Sequence, residues 1–387
     1  MSAVDVEAVR ADTPGCTEVI HLNNAGASLV PQPVLAAVIN YQRAEAHKGA
    51  YETAVARSAE LDQVYQAGAL LLGCRSDELA FTTSATAGWW TAANSVKLIP
   101  GDRVLATSAE YVSNAFGLIQ MRDRGIDVEL IPDDEYGQVS IEALTKLLDE
   151  RVKLVCATHV PTDGGLVNPV EQVGRVVAGS DALFLLDAAQ SVGQIPVAVE
   201  EIGCDFLVTT GRKFLRGPRG TGLLYVRSGI EGLLDPRVLD SRSAGWTGDW
   251  SYELAPGARR YETFETNLAA KAGFGAAIEY ALRVGLDSIA KRVEELADGL
   301  RERLHGQPLV NVEEGPGRQS GIVTFSVDGR SARAVVAALR AWGVNTSLVF
   351  PEPGAFDPTR RTTTEMVRAS VHYFNTEEEL DVAVAAL

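Results

Sequence analysis

Asp187 and Lys213 each follow a short apolar run, ALFLLDAAQ for the aspartate and CDFLVTTGRK for the lysine, with one strand-helix-strand excursion between them. That spacing puts both at the carboxyl edge of neighbouring strands, facing one ligand. A carboxylate preceded by buried apolar residues must be paired or hydrogen-bonded, or it would be protonated. A lysine can form a covalent bond to a carbonyl, and a carboxylate opposite it can keep a pyridine nitrogen protonated. This is the pair that pyridoxal phosphate chemistry needs. Each residue also has a plainer reading, as a solvated loop lysine or a capped structural aspartate. Gln190 sits on the same strand end as Asp187. Thr210 and Arg212 flank the lysine, and Arg212 offers a charge-assisted contact to an anion. A phosphate also calls for a helix N-terminus, and FTTSATAGWW runs from a strand through Ser and Thr into a helix starting near Ala85 and Thr86. Those hydroxyls serve equally well as N-caps.

Such residues need an edge to sit on. From about residue 78 to 226, ELAFTT, DRVLAT, DVELIP, VKLVCATHV, ALFLLDAAQ, CDFLVTT and TGLLYV alternate with helix-like segments such as SIEALTKLLDE. The strands read as continuous rather than alternating hydrophobics, which predicts an α/β fold with a mostly parallel sheet covered on both faces. Beyond the Gly-, Pro- and Trp-containing stretch 241–257, LAAKAGFGAAIEYALRVGLDSIAKRVEELADGLRERLHG reads as two successive long helices. The remainder (GIVTFSVDG, SARAVVAALRAW, GVNTSLVF, MVRASVHYF, TEEELDVAVAAL) suggests a small α+β unit, with the ligand site between the two parts.

The formal net charge of -16 argues against partners with a polyanionic surface, so neither nucleic acid nor membrane is expected. No apolar stretch approaches the ~20 residues that cross a bilayer. The start MSAVDVEAVRADTPGC lacks a basic region followed by an apolar run, and a cytoplasmic location is expected. The four cysteines are widely spaced, which suggests neither a metal site nor a disulfide framework. In so acidic a chain, the four cations of TTGRKFLRGPRGTG must serve something local. A Rossmann-type nucleotide site fits poorly, because these glycines precede a strand instead of opening a helix.

Taken in order, HLNNAGASLVP, FTTSATAGWW, SAEYVSNAFG, THVPTDGGLVNPV, LLDAAQSVGQIPVAV, CDFLVTTGRKFLRGPRGTGLLYV and RASVHYFNTEEEL resemble the class V aminotransferase group of fold-type I pyridoxal-phosphate enzymes. That group includes cysteine desulfurases, carbon-sulfur lyases and isopenicillin N epimerase, and the resemblance covers nearly the whole chain. It implies a large, mostly parallel sheet domain over 21–265 and a small α+β C-terminal domain with its connecting helix over 266–387. An N-terminal segment, 1–20, would pack on the small domain. It further implies Lys213 as the Schiff-base lysine, Asp187 as the ring-nitrogen partner and Gln190 as a donor to the ring hydroxyl. Ala85, Thr86, Thr210 and Arg212 would hold the phosphate. Tyr111 falls where desulfurases place a ring-stacking histidine, and Thr162 where they place an asparagine near the ring hydroxyl. Arg368 resembles the arginine that grips the substrate α-carboxylate. The resemblance also implies a homodimer, with SAGWTGDW and YETFETN as interface loops and Arg216 and Arg219 as interface cations. His159 and His372 read as satisfied structural histidines, and Trp89, Trp90 and Trp246 as packing or dimer-contact residues.

In a desulfurase, a mobile cysteine of the C-terminal domain carries a persulfide. No cysteine follows Cys204 here, and SLVFPEPGAFDPTRRTTTE, where one would lie, offers no thiolate. The persulfide mechanism is therefore rejected. The leading expectation is a small amino-acid substrate, an L-cysteine thioether or sulfoxide, that loses its α-proton to Lys213 and undergoes β-elimination to pyruvate, ammonia and a sulfur product. Epimerisation or transamination on the same fold are the alternatives. A non-catalytic protein of this fold is a weaker one, since Lys213, Asp187, Gln190 and Arg368 are all present.

Overall fold

The computed structural model describes residues 3–349 and 365–387. Strands form where β-branched and aromatic residues run without polar interruption. In chain order they are β1 (Ile20–His21), β2 (Leu79–Thr82), β3 (Arg103–Thr107), β4 (Asp127–Ile131), β5 (Val152–Thr158), β6 (Leu183–Asp187), β7 (Phe206–Thr210), β8 (Gly222–Val226), β9 (Ala244–Gly248), β10 (Ser251–Leu254), β11 (Val310–Val312), β12 (Ile322–Val327), β13 (Val344–Asn345), β14 (Ser347–Val349) and β15 (Met366–Ser370). The main sheet has the order β2-β8-β7-β6-β5-β3-β4. From β7 to β4 the neighbours are parallel, while β8 is antiparallel to both β7 and β2.

Every residue of β2, β3, β6, β7 and β8 is buried. Alternation along the strands divides them between two cores. Phe184, Leu186, Leu207 and Leu223 join Phe274 and Ile278 on one face, while Leu185, Val208 and Leu224 join Trp89, Leu118 and Met121 on the other. Each such side chain, fully buried, contributes roughly 1.5–3 kcal/mol. Helices on both faces are the reason these strands read as unbroken hydrophobic runs.

The sheet also fixes where a ligand can bind. Strand β4 lies on one side of β3, and β5, β6 and β7 lie on the other. The winding direction therefore reverses between β3 and β5, and the segments leaving the carboxyl ends diverge there to open a crevice.

The second sheet, β11-β12-β15-β14, is antiparallel throughout, with β15 in an inner position. Helices Leu286–His305 and Ala332–Ala341 pack on it. Near the N-terminus β1 pairs with β13, and Arg10 forms an ion pair with Glu379 at 2.7 Å. Strands β9 and β10 make a hairpin whose turn residues, Asp249 and Trp250, both take left-handed φ values of 47° and 61°. Two positive-φ residues in the turn match the right-handed twist of the flanking strands. Among the described residues, no helix is long and apolar enough to cross a membrane, and no His/Cys/Asp/Glu group could hold a metal ion.

Candidate active site

Strand β6 ends on Asp187, and β7 ends on Thr210, three residues before Lys213. The two side chains are only 5% and 7% exposed and line the same cavity. Asp187 Oδ1 accepts from the Ala189 amide at 2.9 Å and Oδ2 from Asn114 Nδ2 at 2.8 Å. Both bonds fix the orientation of the carboxylate. Lys213 Nζ lies 5.9 Å from the centroid of the Tyr111 ring. Burial pushes the Lys213 ammonium down to about 7, with Arg212 and Arg368 adding repulsion and Asp187 opposing them.

Tyr111 stands at the N-cap of helix Val112–Asp123, on the rim of the cavity. Gln190 Nε2 donates to Thr162 Oγ1 at 2.9 Å and to the Ala25 carbonyl at 3.2 Å, leaving its buried Oε1 without a partner. Thr162 in turn accepts from Arg368, at its carbonyl and at Oγ1, both at 2.8 Å. Arg368 is therefore a buried residue of an inner strand, and its Nε has no partner.

At the far end, helix Ala85–Ser95 begins behind Ser84, whose Oγ accepts from the Ala87 amide at 3.1 Å. Ala85 and Thr86, in the first turn of this eleven-residue helix, where the amides have no acceptor within the helix, line the cavity. Thr210 and Arg212 line the same end. In this structure the Thr210 hydroxyl donates to the Thr221 carbonyl at 3.2 Å, and the Arg212 guanidinium donates to the Gly26 carbonyl.

Several residues differ from expectation. Arg216 is 1% exposed within its own chain and is no interface cation. It donates to Leu29 O and Tyr373 Oη, each at 2.9 Å, and to Thr13 Oγ1 at 2.5 Å, with Phe374 against its guanidinium. Arg219, by contrast, is exposed. The histidines are incompletely satisfied: Nδ1 of both His159 and His372 is buried without a partner, while His372 Nε2 meets the Phe214 carbonyl at 2.9 Å. Burial pushes the His159 imidazolium down to about 3, so it is neutral. Trp89 is buried and meets Trp90 edge to face at 6.1 Å, whereas Trp246 is exposed. The segment expected to carry a desulfurase cysteine lies mostly outside the described residues, which omit 350–364. Asn114 and Glu110, which link Asp187 to the end of β3, escaped sequence reasoning. The available signal was their four-residue spacing within SAEYVSNAFG.

The chain matches the aminotransferase class-V family over residues 20–382. It belongs to that family. A probable cysteine desulfurase of Methanothermobacter thermautotrophicus is 29% identical over 382 residues, covering 97% of this chain and 96% of its own. A cysteine desulfurase of Escherichia coli SE11 is 28% identical over 410 residues, covering 99% and 97%. The apo structure of a cysteine desulfurase from Thermococcus onnurineus NA1 matches with a TM-score of 0.91 at 26% identity, covering 100% of this chain and 97% of that one. The cystine C-S lyase C-DES, solved with cysteine persulfide, has a TM-score of 0.87 at 23% identity, covering 96% and 98%, and shares the fold.

Class V enzymes depend on pyridoxal 5'-phosphate, and this class V chain is a pyridoxal-phosphate-dependent enzyme. The cavity fits that group. It offers a lysine held near neutrality, a hydrogen-bonded carboxylate, free amides at a helix start, and a Gln190 oxygen whose orphaned state calls for a donor.

Proposed function

We propose that this enzyme is a carbon-sulfur lyase that eliminates the sulfur substituent from an L-cysteine thioether or sulfoxide. The observation carrying this reading is a complete Lys213, Asp187 and Arg368 constellation in a chain with no cysteine after Cys204. The site is equipped to remove an α-proton but has no C-terminal thiolate to accept sulfur.

When bound, pyridoxal phosphate supplies an electron-accepting ring that makes an amino-acid Cα acidic. Asp187, fixed by Asn114 and the Ala189 amide, would set a negative charge against the ring nitrogen and favour its protonation. Gln190 and Thr162 would hold the ring hydroxyl, and Tyr111 would supply an aromatic face for the ring. Ala85, Thr86, Thr210 and Arg212 would hold the phosphate. Arg368 exchanges its Thr162 contacts for the substrate carboxylate, a bidentate partner that suits a planar guanidinium. Lys213 Nζ takes the Cα proton, and a base with proton affinity near neutral pH is suited both to accept it and to return it. The Cβ–S bond breaks with its electron pair on the leaving group, and the Lys213 ammonium protonates the departing thiolate of a thioether or sulfenate of a sulfoxide. Water converts the remaining three-carbon fragment to pyruvate and ammonia. Elimination needs this single base, whereas epimerisation needs a proton donor on the opposite face as well.

The site would lie between a large domain over 21–265 and a small one over 266–387, the latter contributing Arg368. A homodimer is part of the reading, supported by the exposed aromatic side chains of Trp246, Trp250 and Phe264 in the expected interface loops and of Tyr252 beside them. The test is pyruvate release by the cofactor-loaded enzyme across a panel of L-cysteine thioethers and sulfoxides, with Lys213→Ala as the blank. Lysine-dependent pyruvate is expected. No pyruvate from any of them, with exchange of the α-proton in heavy water, would replace this reading with epimerisation or transamination.

A further inference from the structure

Asn114 joins two carboxylates. Its Nδ2 donates to Asp187 Oδ2 at 2.8 Å and to Glu110 Oε2 at 3.0 Å, which uses both amide hydrogens. Its Oδ1 is buried without a partner, so acceptors on the nitrogen side are what hold this amide in place. Glu110 is gripped from two further directions. Thr107 at the end of β3 donates to Oε1 at 2.6 Å, and Thr158 at the end of β5 donates to Oε2 at 3.0 Å. Thr107 Oγ1 also accepts from the Thr158 amide at 3.2 Å, closing the cage.

All of these hydrogen-bond partners of Glu110 are neutral. The ionisable groups facing it are the Asp187 carboxylate from β6 and the buried Cys156 thiol from β5, with Lys213 beyond Asp187 from the segment after β7. Burial pushes the Glu110 carboxyl up to about 7, and the Asp187 charge adds to this, against three hydrogen bonds that lower it. Two carboxylates in one hydrogen-bonded cage with no contacting cation make a site suited to receive one. The protonated ring nitrogen that Asp187 would face is such a cation.

We propose that Glu110 is a positioning residue for the cofactor: through Asn114 it fixes the Asp187 carboxylate, and its own charge sets how firmly that carboxylate holds a protonated ring nitrogen. The proposal rests on the cofactor reading of this site. An ionised Glu110 places a second negative charge behind the ring nitrogen, and a protonated one removes it. By linkage, the arriving cation draws a proton off Glu110. Cofactor affinity must then contain a component that titrates with Glu110.

Lys213 titrates in the same range, so the test is made in Lys213→Ala protein, with 4-deoxypyridoxine 5'-phosphate as the probe. This compound keeps the ring nitrogen and the phosphate but has no aldehyde or amine. Its Kd is measured by fluorescence between about pH 6 and about pH 8, with Glu110 intact and with Glu110→Gln. Titration of the probe itself is common to both and cancels in the ratio. Affinity is expected to rise across that range about tenfold more with Glu110 than with Gln. Curves of the same shape, equal or uniformly displaced, overturn the proposal, because a merely structural Glu110 would shift the curve without changing its form. Thr107→Val supplies a second arm that keeps Glu110 and removes a bond favouring its charge. It is expected to move the inflection to higher pH, and if Glu110→Gln does not fold, an unmoved inflection in Thr107→Val overturns the proposal. A probe that binds at no pH overturns the cofactor reading and this proposal together.

Discussion

Lys213 is costly to the empty protein. Its ammonium has an ordinary value of 10.5 and is held at about 7 in the folded state. Between those values the unfolded chain binds more protons, so stability from this group rises as pH rises from about 7 toward 10.5. Lys213→Met, measured by thermal unfolding of the cofactor-free protein, is expected to be more stable than the parent by a few kcal/mol near pH 7, with the gap closing at alkaline pH. A constant gap would mean that the lysine is not desolvated. Glu110 has the opposite sign: raised from 4.5 to about 7, it costs stability as pH climbs through that window. At the substrate end, Arg368→Lys keeps the charge but loses the planar fork, and KM for amino-acid substrates should rise about 10- to 100-fold, with a smaller change in kcat. Lys213, Asp187, Gln190 and Arg368 were legible because each follows or lies within an apolar strand, where an isolated polar residue needs a reason. Glu110 and Asn114 were not, because a polar pair at a helix start reads as solvated or capping. Their meaning depends on β3, β5 and β6 lying side by side.

At the scale of elements, the segment between β7 and β8 divides its cations by depth. Arg216 takes a left-handed φ of 59° and ties the segment to Leu29, Thr13 and Tyr373, which come from the two ends of the chain. Arg216→Met leaves those acceptors without their donor in a dry core and should cost about 3–5 kcal/mol, whereas Arg219→Ala should stay within about 0.5 kcal/mol of the parent. Denaturant unfolding distinguishes the two, and equal effects would contradict the assigned division. Gly193 acts on the same segment from below. With φ at +98°, it would place a Cβ 2.5 Å from the Phe214 carbonyl carbon, next to Lys213. The strands of the main sheet were readable from their continuous apolar runs. The antiparallel insertion of β8 was not, because a strand buried on both faces has the same composition whichever way its neighbours run. The buried role of Arg216 was hidden for a related reason, since its acceptors are remote in sequence.

For the whole molecule, the β9-β10 hairpin is hard to account for in a single chain. Two strands alone are marginally stable in water, and this pair holds Trp246 and Trp250 at 77% and 97% exposure, with Tyr252 beside them. Close by along the chain, Phe264 borders a cleft of about 830 Å³ together with Tyr51, Val55 and Leu61. Exposed aromatic surface on this scale is characteristic of association sites, and a net charge of -16 makes adventitious aggregation through them less favourable. A second copy that covers the hairpin and the cleft would remove both exposures, and it would cover Lys271 and Glu262, which line the cleft and meet through the buried Tyr65 hydroxyl. Light scattering of the parent should therefore give twice the chain mass down to low micromolar concentration. Trp246→Ser, Trp250→Ser and Tyr252→Ser combined should give the single-chain mass with a folded circular-dichroism spectrum. If the parent has the single-chain mass at every concentration, the hairpin serves something other than a second copy. If the triple variant stays dimeric, the interface lies elsewhere on the surface.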